Sequence, residues 1–237
     1  PQVDVVFPDL LGLLHGKTVP DARVEHPTHY AITVMVQGLD LGFLETAHYS
    51  TSAGFPDMEA RIDMSTLRPW TRGRRTAMAN LHFADGHPLP LDSRRALQSV
   101  IDRWNERGLV PVTGHEMEMF LLAGRQPLTK LPVPDHRVYG IGPGADPTGT
   151  LEAIVEAAEL CDLGIEGANS EFTASQVEAS LHYREAMASA DAALLFRALA
   201  REVARARDID VTFMARPFGD TVGNGMHVNM SLATPDG

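Results

Sequence analysis

The stretch Gly114-His115-Glu116-Met117-Glu118-Met119-Phe120 constrains this chain more than any other. It places two carboxylates two residues apart inside an apolar run that begins at Leu109. A β-strand turns successive side chains to opposite faces. A strand here therefore sets Glu116 and Glu118 on one face and sends Met117, Met119 and Leu121 the other way, into a core. Two carboxylates held that close repel, and each is pushed toward its neutral form unless positive charge lies between them. A hard divalent cation such as Mg2+ or Mn2+ supplies that charge through carboxylate oxygens. The plain alternative is an edge strand whose polar face carries two solvated glutamates.

Length and charge narrow the rest. A chain of 237 residues can form one large domain or two small ones and bury a real core. Its 44% hydrophobic and 22% charged residues are those of an ordinary globular protein. A net charge of -11 argues against nucleic acid as a partner, because phosphates need Lys and Arg to neutralise them. The same charge suits a site that gathers carboxylates around cations. Cys161 is the single cysteine, which excludes an internal disulfide and makes a reducing cytoplasm the expected setting. Its place in the apolar pattern of a helix argues against a reactive thiol. No apolar run approaches membrane-spanning length, and no signal peptide is visible. The chain opens on Pro1 rather than Met and stops at Ala233-Thr234-Pro235-Asp236-Gly237, so both ends read as cuts.

Strands are expected at residues 3–7, 30–36, 58–62 and 77–83, with turn signals at Gly12, Gly16-Lys17 and Asp85-Gly86. The first part therefore reads as a small sheet-rich domain. A helix follows, capped by Asp92 or Ser93, with apolar residues at Leu97, Val100, Ile101 and Trp104, and Gly108 ends it. Residues 126–147 hold five prolines and three glycines and read as a loop or extended excursion. Helical spacing resumes over 149–163, and 164–171 reads as a polar link. Residues 176–181 alternate as a strand does. A long helix over 187–207 carries Leu194, Leu195, Leu199 and Val203 on its buried side. A short strand over 211–214, a glycine-bearing loop over 219–225 and an alternating strand over 226–232 complete the chain.

Three alternating strands thus present polar faces: Glu116 with Glu118, Gln176 with Glu178, and His227 with Asn229 and Ser231. Each has apolar residues on its other face. Three such strands, each with a metal-capable residue, suggest a polar cavity lined by a sheet and suited to metal-assisted phosphate chemistry. Taken singly, His227 is more often a satisfied core histidine than a ligand.

The order of four motifs resembles the glutamine synthetase family: Glu116-Met117-Glu118-Met119-Phe120, then Ser170-Glu171-Phe172-Thr173-Ala174-Ser175-Gln176-Val177-Glu178, then Thr212-Phe213-Met214-Ala215-Arg216-Pro217, then Gly223-Asn224-Gly225-Met226-His227. Tyr183-Arg184-Glu185-Ala186 and, nearer the start, Ser65-Thr66-Leu67-Arg68-Pro69-Trp70 add to it. The resemblance implies an α+β protein: an amino-terminal β-grasp domain over 1–106, then the first part of a catalytic α/β domain with a curved antiparallel sheet over 107–237. It implies a nitrogen-metabolism ligase that consumes ATP and joins ammonia or an amine to the γ-carboxyl of glutamate through a γ-glutamyl phosphate. Mg2+ or Mn2+ would neutralise the transferring phosphoryl group. By motif, Glu118, Glu171 and Glu178 would hold one metal, and Glu116 with His227 a second one nearer the phosphates. Glu166, Ser231 and Asn229 would lie near the nucleotide, while Gly223 and Val222 would belong to the loop that receives glutamate. Homo-oligomeric rings in the cytoplasm are the implied assembly, with neither nucleic acid nor membrane as partner.

Several positions depart from the family pattern. Asn229 stands where a second histidine is common, Ser175 replaces a glycine and Arg216 replaces a lysine. The loop at Gly219-Asp220-Thr221-Val222 is one residue longer than the common form and lacks its asparagine. Together these point to a paralogue using an organic amine. The family's further metal glutamate, its phosphate- and glutamate-binding arginines and its flap glutamate fall beyond this chain, so no catalytic residue is assigned and the chain alone is expected to be inactive. Two rival readings are a non-catalytic structural or regulatory relative and an unrelated metal hydrolase. Five retained metal residues weigh against the first rival, and the four-motif order against the second.

Overall fold

The computed structural model describes residues 2–234; Pro1 and residues 235–237, where the ends were read as cuts, lie outside the described residues. The chain divides between Glu106 and Arg107 into two compact units.

In the first unit the strands are β1 Gln2–Pro8, β2 Leu14–Pro20, β3 Thr28–Ala31, β4 Asp57–Ile62, β5 Arg68–Pro69 and β6 Arg75–Phe83. They form one sheet of order β2-β1-β6-β4-β3, with β5 on β6. β1 and β6 run parallel, and the other pairs are antiparallel. Val5, Phe7, Met58, Ala60, Ala79 and Leu81 fill the core at period two. Helix α1, Ser93–Asn105, is capped by Asp92, whose carboxylate accepts from the backbone N–H of Arg94 at 2.9 Å and of Leu81 at 2.8 Å.

Two expectations fail here. The strand over 30–36 ends at Ala31, and Ile32–Val36 is a 3-10 helix. Ile32, Met35 and Val36, three and four apart, are all buried, so the helical period overrides the β-branched composition. Around Gly16, read as a turn, the chain is instead strand β2, paired with β1 along its whole length. A Cβ on Gly16 would meet the Val5 carbonyl oxygen at 2.3 Å, so the glycine marks a close backbone approach.

The second unit is organised on β7, Val110–Arg125. β8 Leu128–Lys130, β10 Gln176–Leu181, β11 Arg184–Glu185, β12 Asp210–Thr212 and β13 Met226–Ala233 all pair with β7, and β9 Ile165–Ser170 pairs with β10. Helices α2 Thr150–Leu160 and α3 Ala186–Arg205 pack on the apolar side. Met117, Met119 and Leu121 are buried as the period of two requires, together with Val177, Ala179, Ile154, Leu195, Phe196 and Leu199. On that side His115 Nδ1 lies 2.9 Å from Ser189 Oγ on α3, and burial holds its pKa below the ordinary histidine value.

β9 was read as a polar link; its small and polar residues hide a strand that only pairing with β10 reveals. The apolar side of β13 does not enter a core. Met226, Val228, Met230 and Leu232 are exposed. Cys161 is the C-cap of α2 and is buried. Among the described residues no helix is long and apolar enough to cross a membrane.

Candidate metal centre and glycine loop

Register decides what the three polar strands build. Glu178 stands opposite Glu118 and Ser180 opposite Glu116 across the β7–β10 ladder. On the other edge of β7, His227 stands opposite Glu116, Asn229 opposite Gly114 and Ser231 opposite Val112. Directly paired residues share a face, so all these side chains project to the side away from α2 and α3. Glu171 follows β9 in a tight turn closed by its own backbone N–H on the Gln176 carbonyl at 2.8 Å.

Among the described residues, one set of three places its potential ligand atoms within 4.8 Å of one another: Glu116, Glu178 and His227. This set crosses the expected division, since Glu178 was assigned with Glu118 and Glu171. Both oxygens of Glu116 are engaged. Oε2 lies 2.8 Å from His227 Nδ1, and Oε1 accepts from Asn229 Nδ2 at 2.8 Å. An ionised carboxylate only accepts, so Nδ1 carries the proton and Nε2 is the nitrogen left open to an ion.

The charges are coupled. The hydrogen bonds from His227 and Asn229 hold Glu116 below the ordinary carboxylate range, and the bond to Glu116 holds His227 above the ordinary histidine value. Burial raises Glu171, and the Glu118 charge adds to it. Burial likewise raises Glu178, followed by repulsion from Glu171, Glu116 and Glu118. Four carboxylates and one imidazole thus share a surplus of negative charge, the environment a hard divalent ion neutralises.

The loop after β12 lies against this face. Asn224 pins it, donating through Nδ2 to the Thr212 carbonyl at 3.1 Å and the Met214 carbonyl at 2.9 Å, while its backbone N–H reaches the Ala215 carbonyl at 2.8 Å. A Cβ on Gly223 would come within 2.2 Å of the Ala215 oxygen, and one on Gly225 within 2.7 Å of Glu118 Oε1 and 3.4 Å of His227 Nε2. Gly223 is therefore demanded by close approach of backbone, whereas a side chain on Gly225 would press on the movable end of Glu118. Phe218 covers Phe120 edge-on, with ring centroids 5.3 Å apart. Val222 and Gly223 line an open cavity of about 610 Å3 together with Arg216, Asp220 and Thr221.

Of the residues assigned to the nucleotide, Glu166 sits exposed where the β9–β10 register shifts, Ser231 is exposed on β13, and Asn229 is bound to Glu116. Sequence reasoning passed over Gln176, Asn224 and Gly225 as site residues. The motif Gly223-Asn224-Gly225 hinted at the last two, since glycines bracketing an asparagine mark a constrained backbone.

The sequence profile of the glutamine synthetase catalytic domain matches residues 90–237. A gamma-glutamylethanolamide synthetase of Streptomyces coelicolor is 29% identical, over 99% of this chain and 54% of its own length. A glutamine synthetase of Mycolicibacterium smegmatis is 28% identical, over 97% of this chain and 52% of its own. In structure, a crystal structure of a novel glutamine synthase homolog superposes with a TM-score of 0.84 at 22% identity, covering 99% of this chain and 56% of that one, which establishes the fold. The chain spans about half the length of the curated relatives it matches.

Proposed function

The chain belongs to the glutamine synthetase family, and from that premise we propose that it contributes the metal-holding sheet and the glutamate-receiving loop of an ATP-dependent ligase. The reaction joins ammonia or an organic amine to the γ-carboxyl of glutamate through a γ-glutamyl phosphate. The observation that carries this reading is the convergence of Glu116, Glu178 and His227 from three strands within 4.8 Å, with the charges of Glu118 and Glu171 both close enough to raise Glu178. Carboxylate oxygens with one imidazole nitrogen suit Mg2+ or Mn2+. Such an ion, when bound, neutralises charge on a transferring phosphoryl group.

The chain's own residues then have distinct tasks. Glu118, Glu171 and Glu178 offer oxygens, and Glu116 fixes the His227 tautomer so that Nε2 faces the ion. Gly223 and Val222 present loop backbone to glutamate. Glu166 and Ser231 serve the nucleotide side, and Asn229 acts there through its bond to Glu116. The amino-terminal unit is assigned as the β-grasp domain, and the working form as a cytoplasmic homo-oligomeric ring. Identity does not separate ammonia from an amine, because 29% to an ethanolamide synthetase and 28% to a glutamine synthetase are equivalent.

The test is phosphate release and γ-glutamyl product formation by the whole protein carrying this chain, with glutamate, ATP and Mg2+. It is run against ammonia, monoamines and polyamines in parallel. Turnover with one acceptor class identifies the substrate; no phosphate release with any of them overturns the reading.

A further inference from the structure

Gln176 joins the carboxylate face to the glycine loop. Its Nε2 lies 2.9 Å from Glu118 Oε2, 2.9 Å from the Gly223 carbonyl oxygen and 3.2 Å from Asn224 Oδ1. The side chain is buried, 1% exposed, so these contacts exclude water. All three partners are acceptors, which fixes the amide orientation: turned over, its oxygen would face three oxygens. Among the described residues the other end, Oε1, is buried without a partner, so they hold the side chain by its donor end alone. An amide nitrogen carries two hydrogens, and here three acceptors share them.

We propose that Gln176 is a positioning residue that couples Glu118 to the glycine loop, so that filling the metal site tightens the loop. This rests on the metal site of the ligase reading. When a cation draws on Glu118, that carboxylate's hold on the amide hydrogens weakens, and they concentrate on Gly223 and Asn224. The loop is built to register the change. The Glu118 N–H donates to the Gly225 carbonyl at 3.3 Å, and the Glu118 carboxylate abuts Gly225. Asn224 carries any movement on to Thr212 and Met214.

The experiment is amide hydrogen exchange of residues 219–225 with and without Mn2+, paired with a Mn2+ titration, on the whole protein carrying this chain and on its Gln176→Met variant. The wild type is expected to exchange several-fold more slowly in this loop once Mn2+ is bound. In Gln176→Met, which keeps volume and removes the donor, that slowing is expected to vanish. Mn2+ affinity should fall about tenfold, the usual scale for an outer-shell partner of a ligand. A role in packing alone predicts faster exchange with and without metal and an unchanged Mn2+ effect, and that result overturns the coupling. Should Gln176→Met fail to fold, Gln176→Leu removes the same donor with a different shape; an undiminished Mn2+ effect there overturns it equally. A wild-type protein that binds no Mn2+ overturns the metal reading, whereas Mn2+ binding that leaves loop exchange unchanged overturns the coupling alone, which separates the two failures.

Discussion

Glu118 on β7 and Glu178 on β10 stand directly opposite each other, two carboxylates facing one another across an antiparallel ladder. Like charges in that relation destabilise a sheet by roughly 0.2–1 kcal/mol. Burial and the neighbouring carboxylates raise Glu178 above its ordinary value. The folded chain therefore holds that proton more tightly than the unfolded chain does. The ionised form opposes folding, and stability falls as pH rises from the ordinary carboxylate range through the folded value. Glu178→Gln is expected to raise the metal-free Tm at neutral pH by a few degrees, to flatten this fall, and to cut Mn2+ affinity. Calorimetry across pH with a parallel Mn2+ titration checks all three, and a lower metal-free Tm refutes the electrostatic account.

The Glu116–His227 pair has a bounded pH window. Glu116 lies below its ordinary value, so its contribution is present above the unfolded carboxylate value and lost as pH falls through the folded one. His227 lies above its ordinary value, so its contribution is present below the unfolded histidine value and lost as pH rises through the folded one. In metal-free protein, NMR titration of the His227 ring should give a midpoint above the ordinary histidine value, returning toward it in Glu116→Gln. Equal midpoints in the two proteins would break the assigned bond.

Gly225→Ala places a methyl group 2.7 Å from Glu118 Oε1 and 3.4 Å from His227 Nε2. The Glu118 carboxylate must then move, and a displacement of that kind costs roughly 10–100-fold in metal affinity. The fold should survive, because the clash is with the ends of side chains. Isothermal titration with Mn2+ reads the loss, and undiminished affinity would place the ion elsewhere.

Ser175 occupies the left-handed region at φ 74° while fully buried, and its Oγ donates to the Leu121 carbonyl at 2.9 Å. Left-handed backbone costs a non-glycine residue about 1–2 kcal/mol, and a buried hydrogen bond returns about 1 kcal/mol. Ser175→Ala keeps the strain and loses the bond, so it should destabilise by about 1 kcal/mol. Ser175→Gly loses both, so its stability should stay near that of the wild type. Urea denaturation of the two variants tests the order, which reverses if the backbone is not strained.

Much of the fold was legible because period-two alternation is a local property. Strands over Glu116–Glu118, Gln176–Glu178 and His227–Ser231 could be read with their faces, as could Leu195 and Leu199 on the buried side of α3, whereas Leu194 and Val203, expected there too, are only half-buried. β2 and β9 were not legible, since Gly16 and the small residues of β9 carry no pattern until a partner strand supplies their hydrogen bonds. The helical turn at Ile32–Val36 was misread because its β-branched residues favour a strand locally, while three of the five are buried only in a helical geometry.

By itself, then, the sequence determined which residue types face the candidate site and, through the order of four motifs, the family. Only the tertiary structure decided the register. Pairing sets Glu178 against Glu118 and His227 against Glu116, and it carries the Glu178 carboxylate within reach of Glu116 and His227. Alternation along one strand says nothing about its offset from the next. That offset comes from ladder hydrogen bonds and core packing between residues far apart in the chain, and so does the contact that ties Gln176 to both Glu118 and the glycine loop.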